Sequence, residues 1–204
     1  MDGGKRRGIA VGVAGMMGAG KSTVARTFEE MGAVRIDADE LGKSLLKDGQ
    51  LKRDVVEAFG EGILGPDGEI DTAKLGEAAF ADGACALKLN EITRGPLVSK
   101  VMRKIESLRG SAEVVVVDAA LLPEWGGHAW LDFLVVVDSE EENCVTRMVE
   151  NSRFSEASIR ARMACQLPRE EKKRYADIVI VNDASLQELI EKAREAYRTV
   201  VSLG

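Results

Sequence analysis

Five short apolar runs, rich in β-branched residues, recur along the chain. They are continuous rather than alternating, which is typical of strands in a parallel sheet whose two faces are both covered. Segments with helical spacing separate them, which predicts an α/β fold with right-handed crossovers. The predicted strands are Ile9–Ala14, Val34–Asp37, Val114–Asp118, Phe133–Asp138 and Ile178–Val181.

Apolar residues at helical spacing place helices between and after these strands. Ser139 is expected to cap the helix after the fourth strand, with Asp138 as a further capping carboxylate. A Gly-Pro-Asp-Gly turn is predicted at 65–68. The predicted helices are Thr23–Met31, Asp39–Leu46, Leu51–Phe59, Thr72–Phe80, Pro96–Leu108, Ser139–Glu150 and Ser185–Val201.

The chain of 204 residues has the length of one domain, and no linker-like composition divides it. The gap between the second and third strands is about 75 residues, too long for a single crossover. We therefore expect a single domain over 1–204, with a helical substrate-binding insertion at about 37–110.

A glycine-rich motif, G-x-x-x-x-G-K-[ST], runs from Gly15 to Ser22 between the first strand and the first helix. Glycines let consecutive N–H groups face a triphosphate, and the helix N-terminus adds positive partial charge. Lys21 would reach the β- and γ-phosphates, and the Ser22 hydroxyl would ligate Mg²⁺.

The fold class is thus a P-loop NTPase-type parallel five-stranded sheet, and ATP and Mg²⁺ are the expected cofactors. The predicted nucleotide-binding residues of this segment are Gly15, Met17, Gly18, Ala19, Gly20, Lys21, Ser22 and Thr23.

Carboxylates follow the second and third strands. Asp37 and Asp39 lie where a small kinase places an acidic residue to orient or deprotonate the acceptor hydroxyl. If that segment is extended, both side chains point towards the phosphate loop; the alternative is that Asp39 only caps the next helix. Asp118 ends the third strand, where a carboxylate holds Mg²⁺ directly or through water. No guanine-reading N-K-x-D motif follows a late strand, which argues against a GTPase.

The charge of −6, from 28 basic and 34 acidic residues, argues against a general nucleic-acid binder. Residues 147–174 nevertheless carry eight basic and four acidic groups, or +4, which leaves −6 − 4 = −10 for the rest. Arginines on a mobile lid would stabilise charge during phosphoryl transfer, and Arg160 and Arg162 are the catalytic candidates. Residues 172–174 are expected on a solvated helix face.

Cysteine and histidine usage narrows the chemistry. Three separated cysteines, Cys85, Cys144 and Cys165, indicate small buried side chains in a reducing compartment. A single histidine excludes a multi-histidine zinc site. No run of about 18 apolar residues indicates a membrane span, so we expect a cytoplasmic monomer that binds neither membrane nor nucleic acid.

Taken with these motifs, nearly the whole chain resembles the dephospho-CoA kinase family. The resemblance runs from about Ile9 to Leu189 and includes Ile36-Asp-Ala-Asp39 after the phosphate loop, Asp67-Gly-Glu-Ile-Asp71, and Asp118-Ala-Ala-Leu-Leu-Pro-Glu124. Arg162-Met163, Gln166, Ala176-Asp177 and Asn182 follow the spacing of the family's lid and last strand.

The resemblance implies transfer of the ATP γ-phosphate to the ribose 3′-hydroxyl of dephospho-CoA. It implies that Asp39 is the general base, that 37–110 binds CoA and that 147–168 is the lid. Arg147, Arg153 and Asn182 would bind ATP, the last beside adenine. The implied acceptor-side residues are Asp37, Asp39, Lys43, Arg94, Leu121, Leu122 and Glu124.

The chain departs from the family pattern mostly on the acceptor side. A His-Pro pair is replaced by Arg94-Gly95-Pro96, an arginine by Lys43 and another by Thr72. A proline is replaced by Ala120, and a lid arginine by Asn151, with Arg153 nearby. Lysine in place of arginine loses the two-pronged contact with a phosphate.

Two alternatives remain open at this stage. One is a related P-loop kinase acting on another nucleotide or small hydroxyl acceptor, which the acceptor-side substitutions favour. The other is a nucleotide-sensing protein without catalysis, against which the intact Asp39, Lys21 and Asp118 argue. The tryptophans Trp125 and Trp130, with His128, are expected to pack rather than to stack on a substrate.

Overall fold

The computed structural model describes residues 7–80, 83–152 and 154–204 and contains one five-stranded parallel sheet. The strands are β1 (Ile9–Gly15), β2 (Val34–Asp37), β3 (Val114–Asp118), β4 (Phe133–Asp138) and β5 (Ile178–Val181), in the spatial order β2-β3-β1-β4-β5. β1 therefore lies at the centre between β3 and β4, so the segment after it enters the middle of the sheet's carboxyl edge. The predicted α/β class and the strand positions are confirmed, and β1 is one residue longer than predicted.

Helices cover both faces of the sheet. The helices are α1 (Lys21–Glu30), α2 (Ala38–Leu45), α3 (Gly49–Phe59), α4 (Thr72–Ala79), α5 (Gly83–Leu108), α6 (Glu141–Asn151), α7 (Glu156–Ala164), α8 (Arg169–Lys173) and α9 (Leu186–Leu203). One face packs against α1 and α9, with Phe28 and Val200 completely buried. The other face packs against the second half of α5 through Leu97, Val101 and Ile105.

The helices α2 to α5 all lie between β2 and β3 and form a small apolar cluster of their own, centred on Leu51, Val55, Ile63 and Leu75. The predicted turn is present, since the Gly68 N–H donates to the Gly65 carbonyl at 3.0 Å. This helical segment follows directly from the carboxyl end of β2, beside the phosphate loop.

The start of α5 differs from the prediction. Pro96 was expected to begin the helix, as proline often does, but it lies inside a helix of 26 residues. Proline removes one main-chain hydrogen bond of a helix, and buried residues on both sides of Pro96, Ala86 and Leu97, anchor the helix despite this loss.

The cap of α6 also differs from the prediction. The helix begins at Glu141, and its N-cap residue is Glu140, which makes no capping side-chain bond. Ser139 is buried, and its Oγ lies 2.8 Å from the Asn182 carbonyl oxygen, so it joins β4 to the end of β5 instead. Asp138 is buried as well and binds the Arg169 guanidinium through two contacts of 2.9 and 3.0 Å. A buried carboxylate needs a cationic partner more than an exposed helix start needs a second cap.

The packing expected for the tryptophans is observed. Trp125 is buried in the core with its Nε1 3.3 Å from Asn90 Oδ1, and Trp130 packs against the same core. His128 stacks on Tyr175 at the surface, with ring centroids 4.6 Å apart. Cys144 is buried and Cys165 half-buried, both as free thiols, whereas the side chain of Cys85 lies outside the described set.

Candidate functional site

The phosphate loop connects the centre of the sheet to α1. Its glycines are required by geometry: a Cβ on Gly18 would lie 2.4 Å from the Cys144 carbonyl oxygen, and Gly20 has a φ of +102°. Helix α1 begins at Lys21, two residues earlier than predicted, so Ser22 and Thr23 lie in its first turn with their N–H groups towards the loop. Within the described residues, no side chain accepts a hydrogen bond from the Lys21 ammonium group, which is half-buried. The loop thus offers N–H donors and one lysine to an anion.

The outer side of the loop is held by side chains from distant elements. The buried Asn182 amide donates to the Ala19 carbonyl at 2.8 Å. Arg147 donates to the Asn182 carbonyl at 2.9 Å and to Ser139 Oγ at 3.0 Å, and one nitrogen lies 3.5 Å from the Gly18 carbonyl oxygen. The Met17 N–H donates to Gln166 Oε1 at 3.2 Å. Arg147 and Asn182, which the resemblance assigns to ATP binding, therefore lie beside the loop and hold its main chain, and Gln166 is a further contact.

The carboxyl end of β2 places Asp37 and Asp39 differently from the prediction. The segment is not extended, because α2 begins at Ala38. Asp37 is the N-cap residue and accepts bonds from the N–H groups of Asp39 and Glu40 at 3.0 and 3.1 Å. Asp39 lies in the first turn of α2 and does not cap it, so its carboxylate is not engaged by the start of the helix and could contact a substrate.

The pKa of Asp39 is raised above its ordinary value. The main cause is desolvation by the surrounding protein, although the side chain remains accessible to solvent; the charges of Asp37 and Asp118 raise it further and Lys21 opposes them. These couplings place Asp39 among the charges of the phosphate loop and of β3. A carboxylate with a raised pKa beside a lysine is a candidate general base.

Asp118 lies at the end of β3, directly opposite Asp37 in the strand register. It is 7% exposed, and Arg35 on β2 donates to its Oδ2 at 2.6 Å and to Asp37 Oδ2 at 3.0 Å. Sequence reasoning missed Arg35, because a single arginine in a short strand has no motif. Strand alternation alone could have placed Arg35 on the face of Asp37.

Beyond β3, the segment 119–124 contacts the end of the lid segment. Leu122 is buried in the core and Leu121 half-buried. Glu124 Oε1 accepts from the Leu167 N–H at 2.9 Å and from the Lys172 ammonium group at 2.5 Å. Lys172 is completely buried and also donates to the Ala120 carbonyl at 2.9 Å. The prediction that 172–174 form a solvated face is therefore wrong for Lys172, whose buried charge needs Glu124, and right for the exposed Arg174.

The two lid arginines of the sequence analysis have different surroundings. Arg160 forms ion pairs with Glu141, Glu142 and Glu156, at 2.8 to 3.4 Å. The Arg162 guanidinium lies between the rings of Phe80 and Phe154, 4.0 and 4.1 Å from their centroids, and burial lowers its pKa. The Arg162 Nε is buried without a hydrogen-bond partner. Arg153 lies outside the described residues.

Of the positions that the resemblance assigns to the acceptor, Lys43 and Thr72 line one open cleft of about 360 Å³ between α2 and the start of α4. Lys43 is exposed and pairs with Glu40 at 2.6 Å. Arg94 is exposed on α5 and is not part of the lining of this cleft. The structure thus brings together two of the three substituted acceptor positions.

The described part of the chain lacks two kinds of feature. Outside positions 1–6, 81–85 and 153, no group of three or more histidine, cysteine, aspartate or glutamate side chains could hold a metal ion. The helices in the same part of the chain include none that is both long and apolar enough to cross a membrane.

Comparisons with known proteins agree with this geometry. The family model described as "Dephospho-CoA kinase" matches residues 9–188. A dephospho-CoA kinase of Streptomyces avermitilis is 40% identical over 95% of this chain and 94% of its own length. The structure of TT1252 from Thermus thermophilus is 28% identical with a TM-score of 0.76, over 95% of this chain and 98% of that one. A Campylobacter jejuni dephospho-CoA kinase, 22% identical over 95% and 97% of the two chains, shares the fold with a TM-score of 0.68. The chain belongs to the dephospho-CoA kinase family.

Proposed function

We propose that the protein transfers the γ-phosphoryl group of ATP to the ribose 3′-hydroxyl of dephospho-CoA, giving coenzyme A and ADP. The observation that carries the proposal is the family match over residues 9–188, which takes in both the phosphate loop and Asp39. The comparisons give no support to another acceptor or to a protein without catalysis.

The phosphate loop binds the β- and γ-phosphates in this proposal. N–H groups of the loop that are not bonded within the protein donate to the phosphate oxygens, and Lys21 neutralises the charge that develops between the leaving and transferring groups. Asn182 and Arg147 keep the loop in this shape through the Ala19 and Gly18 carbonyls. Pre-organised donors of this kind act without rearrangement during the reaction.

Asp39 is the proposed base. It accepts the proton of the 3′-hydroxyl as the ribose oxygen bonds to the γ-phosphorus, and the bond from that phosphorus to the β,γ-bridging oxygen breaks to release ADP. Desolvation raises the pKa of Asp39; the charge of Lys21 lowers it, and the charges of Asp37 and Asp118 raise it. The deprotonated form of Asp39 is therefore the one that makes the acceptor reactive, because only that form can accept the hydroxyl proton.

The donor set fits Mg²⁺. Ser22 supplies a hydroxyl in the first turn of α1, and Asp118 supplies one carboxylate whose Oδ2 contacts Arg35. Mg²⁺ is commonly held by one or two carboxylates together with substrate phosphates and water, so a site with a single carboxylate, and with no larger acidic cluster among the described side chains, is compatible with it. Bound there, the ion would neutralise charge on the phosphates.

Arg160 and Arg162 are proposed to reach the transferring phosphate from the lid. Before reaching the phosphate, Arg160 must break its ion pairs with three carboxylates, and Arg162 must leave the two aromatic rings that it contacts. Because both substrates are small molecules, we further propose a cytoplasmic monomer that needs no macromolecular partner.

The test is an acceptor assay with purified protein, ATP and Mg²⁺. ADP release and the mass of the product are followed with dephospho-CoA and, separately, with a panel of nucleosides, nucleotides and small alcohols. A product heavier by one phosphoryl group with dephospho-CoA alone supports the proposal. Turnover of another acceptor without turnover of dephospho-CoA contradicts it.

A further inference from the structure

Arg35 is a half-buried cation at the carboxylate assigned to the metal. Its Nη2 bridges Asp118 Oδ2, at 2.6 Å, and Asp37 Oδ2, at 3.0 Å. The register of β2 and β3 sets this arrangement, since Asp37 is paired with Asp118 and Arg35 with Val116. The guanidinium therefore reaches the carboxyl edge of the sheet from within β2.

Arg35 makes fewer contacts with Asp118 than Arg169 makes with Asp138, another buried carboxylate. Arg169 binds Asp138 with two nitrogens, one to each carboxylate oxygen. Arg35 uses one nitrogen for both carboxylates, and its Nε is buried without a hydrogen-bond partner. Two-pronged contacts are the stronger ones, and an unpaired buried N–H costs free energy. Arg35 is thus held to Asp118 by a single contact that can be given up.

Mg²⁺ and the Arg35 guanidinium would compete for the Asp118 carboxylate. Mg²⁺ at Asp118 and the guanidinium 2.6 Å from its Oδ2 would repel each other, whereas Asp37 offers Arg35 a second acceptor only two residues away on the same strand. The 7% exposed Asp118 needs a cation whether or not nucleotide is bound.

We propose that Arg35 is a counter-cation that occupies Asp118 before nucleotide binds and moves to Asp37 when Mg²⁺ arrives with the nucleotide. The metal alone then binds weakly, and it enters as a complex with the phosphates, which supply the remaining ligands. Arg35 is a positioning residue in this scheme and touches no substrate. The inference rests on the metal role of Asp118 within the proposed function.

The test measures metal binding directly. Free Mn²⁺, a paramagnetic substitute for Mg²⁺, is titrated with the protein in the absence of nucleotide, and the unbound ion is counted by electron paramagnetic resonance. Arg35→Met should bind Mn²⁺ at least about tenfold more tightly than the unaltered protein, because a repelling charge is removed next to a carboxylate. Adding ADP should shrink the difference. Arg35→Lys retains the charge and should keep nucleotide-free binding weak.

Two further variants assign the effect to its site. In Arg35→Met combined with Asp118→Asn, the gain in Mn²⁺ affinity should disappear. Arg109→Met removes a different arginine, which is buried and pairs with Asp132 at 2.9 Å at the amino edge of the sheet, and it should leave Mn²⁺ binding unchanged. Circular dichroism verifies that each variant is folded, and Arg35→Gln replaces Arg35→Met if the latter is not.

Unchanged Mn²⁺ affinity in folded Arg35→Met or Arg35→Gln would overturn the inference, and so would a gain that survives Asp118→Asn. These results do not depend on turnover. A protein with the expected Mn²⁺ behaviour that fails to phosphorylate dephospho-CoA would contradict the proposed function and leave the role of Arg35 intact.

Discussion

The nucleotide side and the acceptor side that we propose for the site are built in opposite ways. On the nucleotide side, main-chain groups of the phosphate loop are bonded to Asn182, Arg147 and Gln166, which come from three distant segments. On the acceptor side, Lys43 and Arg94 are exposed, and Lys43 forms an ion pair with Glu40, a neighbour on its own helix. A loop whose shape is fixed by internal hydrogen bonds suits ATP, which many kinases share. In an open cleft, by contrast, the conformation of the side chains depends more on the bound acceptor.

The first prediction concerns the residue between the two sides. Asp39→Asn should lower kcat by about 10²–10⁴ because it removes the general base, while ATP affinity stays nearly unchanged. Glu40→Gln, on the same turn of α2 but paired with Lys43 at the surface, is the matched control and should retain activity. Steady-state kinetics and equilibrium ATP titration measure both quantities. A collapse of ATP binding in Asp39→Asn would place Asp39 on the nucleotide side.

The next prediction concerns the ion pair that ties the two sides together. Glu124 accepts from Lys172 and from the Leu167 N–H, and so links the loop after β3 to the end of the lid segment. Lys172→Met should lower the free energy of unfolding by about 3 kcal/mol, because it leaves a half-buried carboxylate without its cation. Urea unfolding measures it, with the exposed Arg174→Met as control. Equal stability of the two variants would mean that Glu124 is solvated well enough without Lys172.

The features that could be predicted from the sequence are those set by neighbouring residues, and the features that could not are contacts between residues far apart along the chain. The strands and the phosphate loop could be, because a continuous apolar run and a G-x-x-x-x-G-K-S spacing are local patterns. The burial of Lys172 could not, since its partner Glu124 lies 48 residues away. Arg35 was missed for the same reason: only the register of β2 with β3 shows that it reaches Asp118. The start of α5 was misplaced because Pro96 is a local signal that buried contacts on both sides override.

The charges around Asp39 give a pH dependence. Desolvation is the main cause of its raised pKa, and the charge of Asp37 contributes in the same direction. The base acts when deprotonated, so activity rises with pH through this pKa. Asp37→Asn removes a negative charge, lowers the pKa of Asp39 and should move the acid limb of the kcat/KM profile to lower pH. Asparagine caps a helix as well as aspartate does, so α2 should keep its start. A limb that stays in place or moves to higher pH would show that Asp37 does not act on Asp39.

The smallest effect is expected at the open end of the acceptor side. Lys43 lies in the cleft shared with Thr72, at a position where the family pattern has arginine. Lys43→Arg should lower the KM for dephospho-CoA by about two- to fivefold, since a guanidinium can bind an acceptor phosphate with two nitrogens while an exposed pair contributes at most about 1 kcal/mol. The KM for ATP should not change, because Lys43 takes no part in the hydrogen bonds that hold the phosphate loop.

Lys104→Arg, on the exposed face of α5, is the control. An equal change in both KM values would mean that the two sides are coupled through α2, and an unchanged KM for dephospho-CoA would mean that the acceptor does not reach this cleft.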